Sequence, residues 1–349
     1  MHFIKNLSRR KLDGLCIYGY LIFQGGSVVH LTADVLSWVF SSPQLLWVPL
    51  SNSIQLETGV KEQNDGVAKF AGLSGHPTCV TLNNLSEVTP NGHFEPNKVP
   101  LWTKNGKKMI SSNRYLKLIK INVFKPDIIL AIADGRTSLA EGNKRVSKAV
   151  DRTNQMLKEC VDRYKASKDL QNSMLVGFFS ENKKTIIFLL TFCLIFLLFM
   201  LQNKIPKDFV RIIEGSWNPV VILSAIEHGW DIFDGSYPVK LTYAGFALKI
   251  NFDITKENDT MCLLHMIDEK YKEDFTPILE GCECLACKKH TRAYIRHLFN
   301  TREMLASVLL SIFFLRTRVH YFIHIITYYK TNSLPAVCML RSLKLHNGF

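Results

Sequence analysis

The sequence predicts an α/β fold built on a parallel sheet, and three observations point there. The first is a short apolar run that ends in an acid and a glycine, Pro126-Asp127-Ile128-Ile129-Leu130-Ala131-Ile132-Ala133-Asp134-Gly135. A strand buried on both faces reads as continuous apolar sequence, and one of this kind would deliver Asp134 to a loop at its C-terminal end. The second is the order of the next two segments, a basic amphipathic stretch from Ser138 to Lys165 and then another strand-length run, Met174 to Phe179. Strand, helix, strand is the order of a parallel sheet or barrel. The third is size: 349 residues, 47% of them apolar, suffice for one large α/β barrel or two ordinary domains.

At the N-terminus, Arg9, Arg10 and Lys11 precede an apolar stretch, Leu15 to Phe23, that Gly19 interrupts and no small-residue cleavage site ends, so a signal peptide is not expected. Residues 1–24 are read as a divergent N-terminal segment and 25–184 as mixed α/β. In the helix over 138–165, Val146, Val150, Met156, Leu157, Cys160 and Val161 supply an apolar stripe, while Lys144, Arg145, Lys148 and Arg152 supply a solvated face. Thr185 to Leu201 is a run without charge, close to the roughly 20 apolar residues of a membrane helix. Lysines flank both sides (Lys183 and Lys184, Lys204 and Lys207) and give no orientation, so a single membrane anchor and a buried helix both remain open. From 205 the α/β pattern resumes, with strands over 209–215 and 229–234 and a helix from Pro219 to His228 between them. Asp253 to Asp259 reads as a loop, and Thr291 to Leu310 as one strong helix. Beyond it, 311–349 form a basic, aromatic tail. No internal repeat has solenoid spacing.

Composition narrows function. Charged residues at 21% and aromatics at 11% exclude a disordered polypeptide, and the mean hydropathy of +0.05 excludes a polytopic membrane protein. A net charge of +13 suggests a polyanionic partner, but the tail carries five basic side chains and no acid; without it residues 1–310 keep +8. Of the 9 cysteines, six are scattered and three fall together in Cys282-Glu283-Cys284-Leu285-Ala286-Cys287. That pattern is foreign to a secreted disulfide framework and fits one metal site in a reducing compartment. Three thiolates at this spacing can fold round one zinc ion, which wants a fourth donor.

The segment from Cys282 to Phe299 resembles the zinc subdomain of the tRNA-guanine transglycosylases, which exchange guanine for queuine in tRNA. The resemblance extends through Tyr271 to Gly281 and Pro206 to Phe252. It reappears in Lys125-Pro126-Asp127, Asp134-Gly135 and Lys144 to Arg152, with weaker traces at His30-Leu31-Thr32 and Lys69 to Gly72. It implies a TIM (β/α)8 barrel with a C-terminal zinc-binding subdomain, one Zn2+ per chain on Cys282, Cys284 and Cys287, and a barrel interrupted at 185–201. The implied layout is a barrel in two parts, 25–184 and 205–310, the second carrying the zinc subdomain, with 185–204 as an apolar insertion.

The family's attacking aspartate corresponds to Asp234, in Phe233-Asp234-Gly235-Ser236-Tyr237-Pro238. The partner motif that carries a second aspartate should fall before Asp127, where the chain instead has Leu101-Trp102-Thr103-Lys104-Asn105-Gly106-Lys107-Lys108. One carboxylate without its proton-handling partner is a poor catalyst. The resemblance therefore implies the non-catalytic, accessory type of subunit, paired as a heterodimer with the catalytic queuine tRNA-ribosyltransferase subunit and helping to hold tRNA. Lys288, Lys289, Arg292 and Arg296 are candidate phosphate contacts, or else an ordinary solvated face. The alternatives are an active transglycosylase using Asp234, and a membrane-anchored zinc-binding scaffold.

Two departures accompany the resemblance. The family's fourth zinc ligand, a histidine, corresponds to Phe313, for which His320 is a candidate substitute, as is His324. The run 185–201 stands where the family carries a barrel strand with its helices. Both this run and 311–349 are read as translated intron or misjoined exon sequence, with a genuine membrane anchor and divergent tail as the alternative. The expected location is the cytoplasm, with peripheral attachment at the mitochondrial outer membrane as a second expectation.

Overall fold

The computed structural model describes residues 17–19, 21–24, 27–28, 30–39, 43–84, 97–119, 123–133, 143–176, 212–213, 216–219, 221–222, 232–250 and 261–331, together with Glu95 and Ala225. Its strands are β1 (Ile17–Gly19), β2 (Leu21–Gln24), β3 (Ser27–Val28), β4 (Leu46–Pro49), β5 (Thr78–Thr81), the pair β6 (Lys98–Thr103) and β7 (Gly106–Ser111), β8 (Ile128–Leu130), β9 (Met174–Val176), β10 (Ile212–Ile213), β11 (Ile232–Asp234), and the pair β12 (Phe246–Ile250) and β13 (Met261–His265).

β2, β4, β5, β8 and β9 lie side by side in that order and run parallel, with β3 folded back on β2. A second parallel set has β11 between β1 and β10. Only Tyr20 separates β1 from β2 in the chain. The two sets thus follow one another as a single arc, β9-β8-β5-β4-β2/β1-β11-β10, which has seven strand positions among the described residues. A closed (β/α)8 barrel has eight. Residues 177–211, which contain the 185–201 run, lie between β9 and β10 in sequence and outside the described residues. Among the described residues no helix is long and apolar enough to cross a membrane.

Burial explains why these short runs are strands. β4 and β5 are buried at every position, so alternate side chains serve two cores. Leu46, Val48, Val80 and Ile129 face the main core, while Leu45, Trp47, Cys79, Ile128 and Leu130 make a second cluster on the other face. Val239, on the Ser236–Tyr243 helix that follows β11, joins that second cluster. The β11 end of the arc therefore reaches across to the inner face of β4, β5 and β8, as a curled sheet requires. Two polar ties fix the strand ends. The Asp127 carboxylate accepts the Thr78 amide at 2.8 Å, and the fully buried Tyr115 donates its hydroxyl to the Leu130 carbonyl at 2.6 Å.

The helix expected over 138–165 is observed as Asn143–Ala166. Ala149, Thr153, Met156 and Cys160, spaced three or four apart, are its buried positions, whereas Val161 is half-exposed. The side chains of Val146 and Val150, and Asp134 with the loop at 253–259, lie outside the described residues. The stretch 15–23, read as an apolar N-terminal run, supplies β1 and most of β2.

One expected helix is two. Thr291 to Leu310 breaks into Arg292–Asn300 and Met304–Thr331. At the break Arg302 takes a left-handed backbone (φ 56°), and the amides of Arg302 and Glu303 turn back to the carbonyls of Phe299 and Leu298. This termination normally uses glycine or asparagine, and its use of an arginine hides it in the sequence. The second helix then runs on through 310, where the divergent tail is expected to begin, to Thr331. Its buried positions Ala306, Leu309, Leu310, Phe313 and Phe314 pack against the Ser236–Tyr243, Leu285–Lys289 and Arg292–Asn300 helices.

Candidate metal centre

Cys282, Cys284 and Cys287 sit on a turn leading into the Leu285–Lys289 helix. Gly281, with φ 74°, takes the left-handed conformation that lets the chain reverse there, and the Cys282 amide closes the turn on the Leu279 carbonyl at 3.3 Å. Cys284 is the helix's N-cap: its backbone is extended and its Sγ accepts the Cys287 amide at 3.4 Å. The Cys-x-x-Cys spacing brings residue 287 round one helical turn towards the capping sulfur. As a result the three Sγ atoms lie within 4.8 Å of one another. Cys284 and Cys287 are buried and Cys282 is half-buried.

The electrostatics of this cluster ask for a cation. The hydrogen bond with Cys282, with burial, pushes the Cys284 thiol up to about 11. Hydrogen bonds with Cys282 and Cys284, again with burial, push Cys287 up as well. Three adjacent sulfurs cannot share negative charge in so small a volume unless a cation neutralises them, and a bound divalent metal reverses the balance. Tetrahedral sulfurs about 2.3 Å from a zinc ion are roughly 3.8 Å apart, which the observed separations accommodate. The donor set therefore fits a thiophilic metal. No fourth His, Cys, Asp or Glu among the described residues joins the three within that distance.

At the position that corresponds to the family's fourth ligand the chain carries no donor. Phe313 is fully buried on the Met304–Thr331 helix, which packs on the helix carrying Cys287, and it offers no donor atom. That helix is continuous, so His320 lies two turns beyond Phe313, roughly 10 Å along the axis. Its side chain is outside the described residues. His290, which no spacing in the sequence singles out, comes directly after the Leu285–Lys289 helix; it is half-buried, stacks on Tyr294 at 5.0 Å between centroids, and is held below its ordinary pKa by burial.

The four basic candidates divide into two pairs. Lys288 and Lys289 are exposed, Lys288 lying 3.6 Å from Glu283. Arg292 instead turns inward, donating to Asp274 at 3.0 Å and to the Ile278 carbonyl at 3.1 Å beside the Tyr271 ring. Arg296 is likewise engaged, with the Asp268 carbonyl at 3.1 Å and with Glu269. These two arginines lace the segment 268–278 to the Arg292–Asn300 helix. Nothing in the sequence separates the two arginines from the two lysines, because the acids they meet lie 18 and 27 residues away.

Asp234 ends β11, paired in register with Gly19 of β1, at the C-terminal edge of the parallel arc. The segment 101–108, where the resemblance leads one to expect a second aspartate, lies in the β6–β7 hairpin, whose two-residue turn is Lys104-Asn105.

A family model described as queuine tRNA-ribosyltransferase matches residues 21–185 and 196–330. The chain belongs to the queuine tRNA-ribosyltransferase family. The family's TIM-barrel-like fold accounts for the parallel arc, and the match spans both the three cysteines and nearly all of the helix that ends at Thr331. Queuine tRNA-ribosyltransferase accessory subunit 2 of Drosophila grimshawi is 31% identical over 358 aligned residues, covering 93% of this chain and 84% of that protein. The proteins of the same name from Anopheles gambiae and Drosophila melanogaster are 30% and 31% identical, covering 89% and 83% of this chain and 80% and 76% of their own lengths. These names support a role connected with queuine tRNA-ribosyltransferase.

Proposed function

We propose that this chain is the non-catalytic half of a queuine tRNA-ribosyltransferase heterodimer, holding tRNA while the catalytic subunit exchanges guanine for queuine at the wobble position. The feature that carries this reading is the β6–β7 hairpin: in the segment where the resemblance would put a second carboxylate, this chain folds a ladder with lysines and no acid from Lys98 to Ser111. Asp234 alone can attack or move a proton, but not both. Pairing has its own support. Phe275 and Met304 are 75% and 73% exposed, and Ile267, Leu285, Tyr294 and Leu305 also leave large apolar area open, all in the C-terminal part that carries the cysteines. Apolar surface of that extent is suited to cover by another protein. Cys282, Cys284 and Cys287 would hold one Zn2+, whose chemistry there is to cross-link the turn to its helix; no reaction step is assigned to it. Lys289 remains available to phosphates and Lys288 faces Glu283, while Arg292 and Arg296 serve the fold. The family match skips 186–195, which favours reading the apolar run as foreign to the barrel; sequencing the transcript across codons 175–215 and 300–349 tests that.

The test is reconstitution. The chain alone is expected to give no base exchange and no covalent tRNA adduct, to co-purify with the catalytic subunit, and to support exchange equally well as Asp234→Asn. Covalent trapping of tRNA by the chain alone, abolished by Asp234→Asn, would overturn the proposal in favour of an active transferase. Failure to pair, with sedimentation into membranes that depends on 185–201, would favour an anchored scaffold instead.

A further inference from the structure

The β6–β7 hairpin lies in the most one-sided stretch of charge in the chain. Between residues 96 and 126 stand Lys98, Lys104, Lys107, Lys108, Arg114, Lys117, Lys120 and Lys125, with no Asp or Glu among them. Some of this charge is already answered. Lys98 pairs with Glu95 at 2.8 Å and Arg114 with Glu57 at 2.7 Å. At the hairpin's end the situation differs: Lys104, Lys107 and Lys108 are exposed, and among the described residues no carboxylate comes within ion-pair distance of them.

Register says how the three are presented. Lys107 stands opposite Trp102 and Lys108 opposite Leu101, while Lys104 is in the turn. Side chains alternate across a strand, so Lys107 and Lys108 point to opposite faces of the ribbon with Lys104 at its tip. On the Lys108 face, that lysine, Arg114 and its ion-pair partner Glu57 line a small depression of about 140 Å³ floored by Leu101 and Ile110. On the other face the half-buried Trp102 lies directly across from Lys107. The face that carries Lys108 also carries the buried Val99, Leu101 and Ile110, so the core covers it below Lys108, and the three cations gather at the free end of the ribbon, where a polyanion can meet all of them. Buried Val99, Leu101 and Ile110 anchor the base of the ribbon in the core, which holds the tip in place.

We infer that the β6–β7 hairpin is a tRNA-gripping arm, with Lys104, Lys107 and Lys108 contacting phosphates of the nucleic-acid backbone. This rests on the accessory-subunit reading and names the surface that performs its tRNA-holding part. Phosphate contacts release counterions, so each contributes about 0.7–0.9 to the slope of log affinity against log salt.

The experiment uses the heterodimer and an unmodified tRNA transcript with guanine at the wobble position, with affinity measured between about 50 and 200 mM KCl. The triple variant Lys104→Gln, Lys107→Gln, Lys108→Gln is expected to bind at least about tenfold more weakly at mid-range salt, with a slope shallower by about 2. The corresponding triple arginine variant keeps wild-type affinity and slope, and both variants elute as heterodimers. A glutamine variant that binds tRNA with wild-type affinity and slope overturns the inference. So does one that loses the catalytic subunit and not the salt-dependent contacts, which would assign the arm to an acidic protein surface. If the wild-type heterodimer itself binds no tRNA, it is the accessory-subunit reading that fails, and that outcome requires no variant.

Discussion

At the scale of single residues, the three cysteines are defined by their neighbours more than by their own exposure. Cys284 caps the helix that carries Cys287, so the cluster is preformed by local backbone geometry. Replacing Cys287 with serine keeps the turn but removes a thiolate. Metal content of the purified protein is expected to drop, and the affinity loss to exceed the roughly 10–100-fold that removing an outer-shell partner costs; elemental analysis with a chelator competition reads both. Asp274 offers a second test. Burial raises its pKa, but hydrogen bonds from the Thr276 hydroxyl and amide and from Arg292 outweigh it, and its carboxyl is held below the ordinary range. A depressed folded-state pKa stabilises fully above the unfolded value, about 3.9, and that contribution disappears as pH falls through the lower folded value. Asp274→Asn should therefore lower stability at pH 7 and flatten its acid dependence below about pH 4. Denaturant titrations at pH 7 and pH 3 that shift by equal amounts would contradict this.

At the scale of elements, the informative event is the break at residues 301–303. A helix expected to run unbroken from Thr291 instead starts with a Thr291 hydroxyl that accepts the Tyr294 amide at 3.2 Å, ends at Asn300, and restarts at Met304. The break turns the chain so that Ile295 and Leu298 of the first helix and Leu309, Leu310 and Phe313 of the second enter one core. Thr291→Ala removes the cap and is expected to cost about 1 kcal/mol, read as a shift in denaturation midpoint with unchanged slope. Four strands, at 128–130, 174–176, 212–213 and 232–234, are legible in the sequence, and for Ile128–Leu130 the reason is burial on both faces, which leaves a continuous apolar run. The β6–β7 hairpin is not, because exposed lysines and Pro100 erase the alternation on which strand recognition depends.

At the scale of the molecule, the N-terminal strands matter out of proportion to their length. β1 pairs with β11 and β2 with β4, so residues 17–24 join the two parallel sets into one arc. A truncation that starts at residue 25 leaves β11 and β4 with unpaired edges. It is expected to lose cooperative thermal unfolding, whereas a truncation that starts at residue 16 keeps it. Calorimetry of the two forms decides the matter.

Much of the site is local, and so the sequence by itself determined it. Three cysteines within six residues had to form a cluster, and the α/β grammar of alternating apolar runs had to form a parallel sheet. Both come from interactions between near neighbours in the chain, where spacing carries the geometry. Tertiary structure decided what depends on distant partners. It set Arg292 and Arg296 facing inward to acids 18 and 27 residues away, left the hairpin lysines without a carboxylate at ion-pair distance among the described residues, and brought Val239 into the cluster that holds Trp47. Charge is long-ranged and burial is collective, so which lysine stays free and which arginine is spent on the fold is settled only when the whole chain has packed.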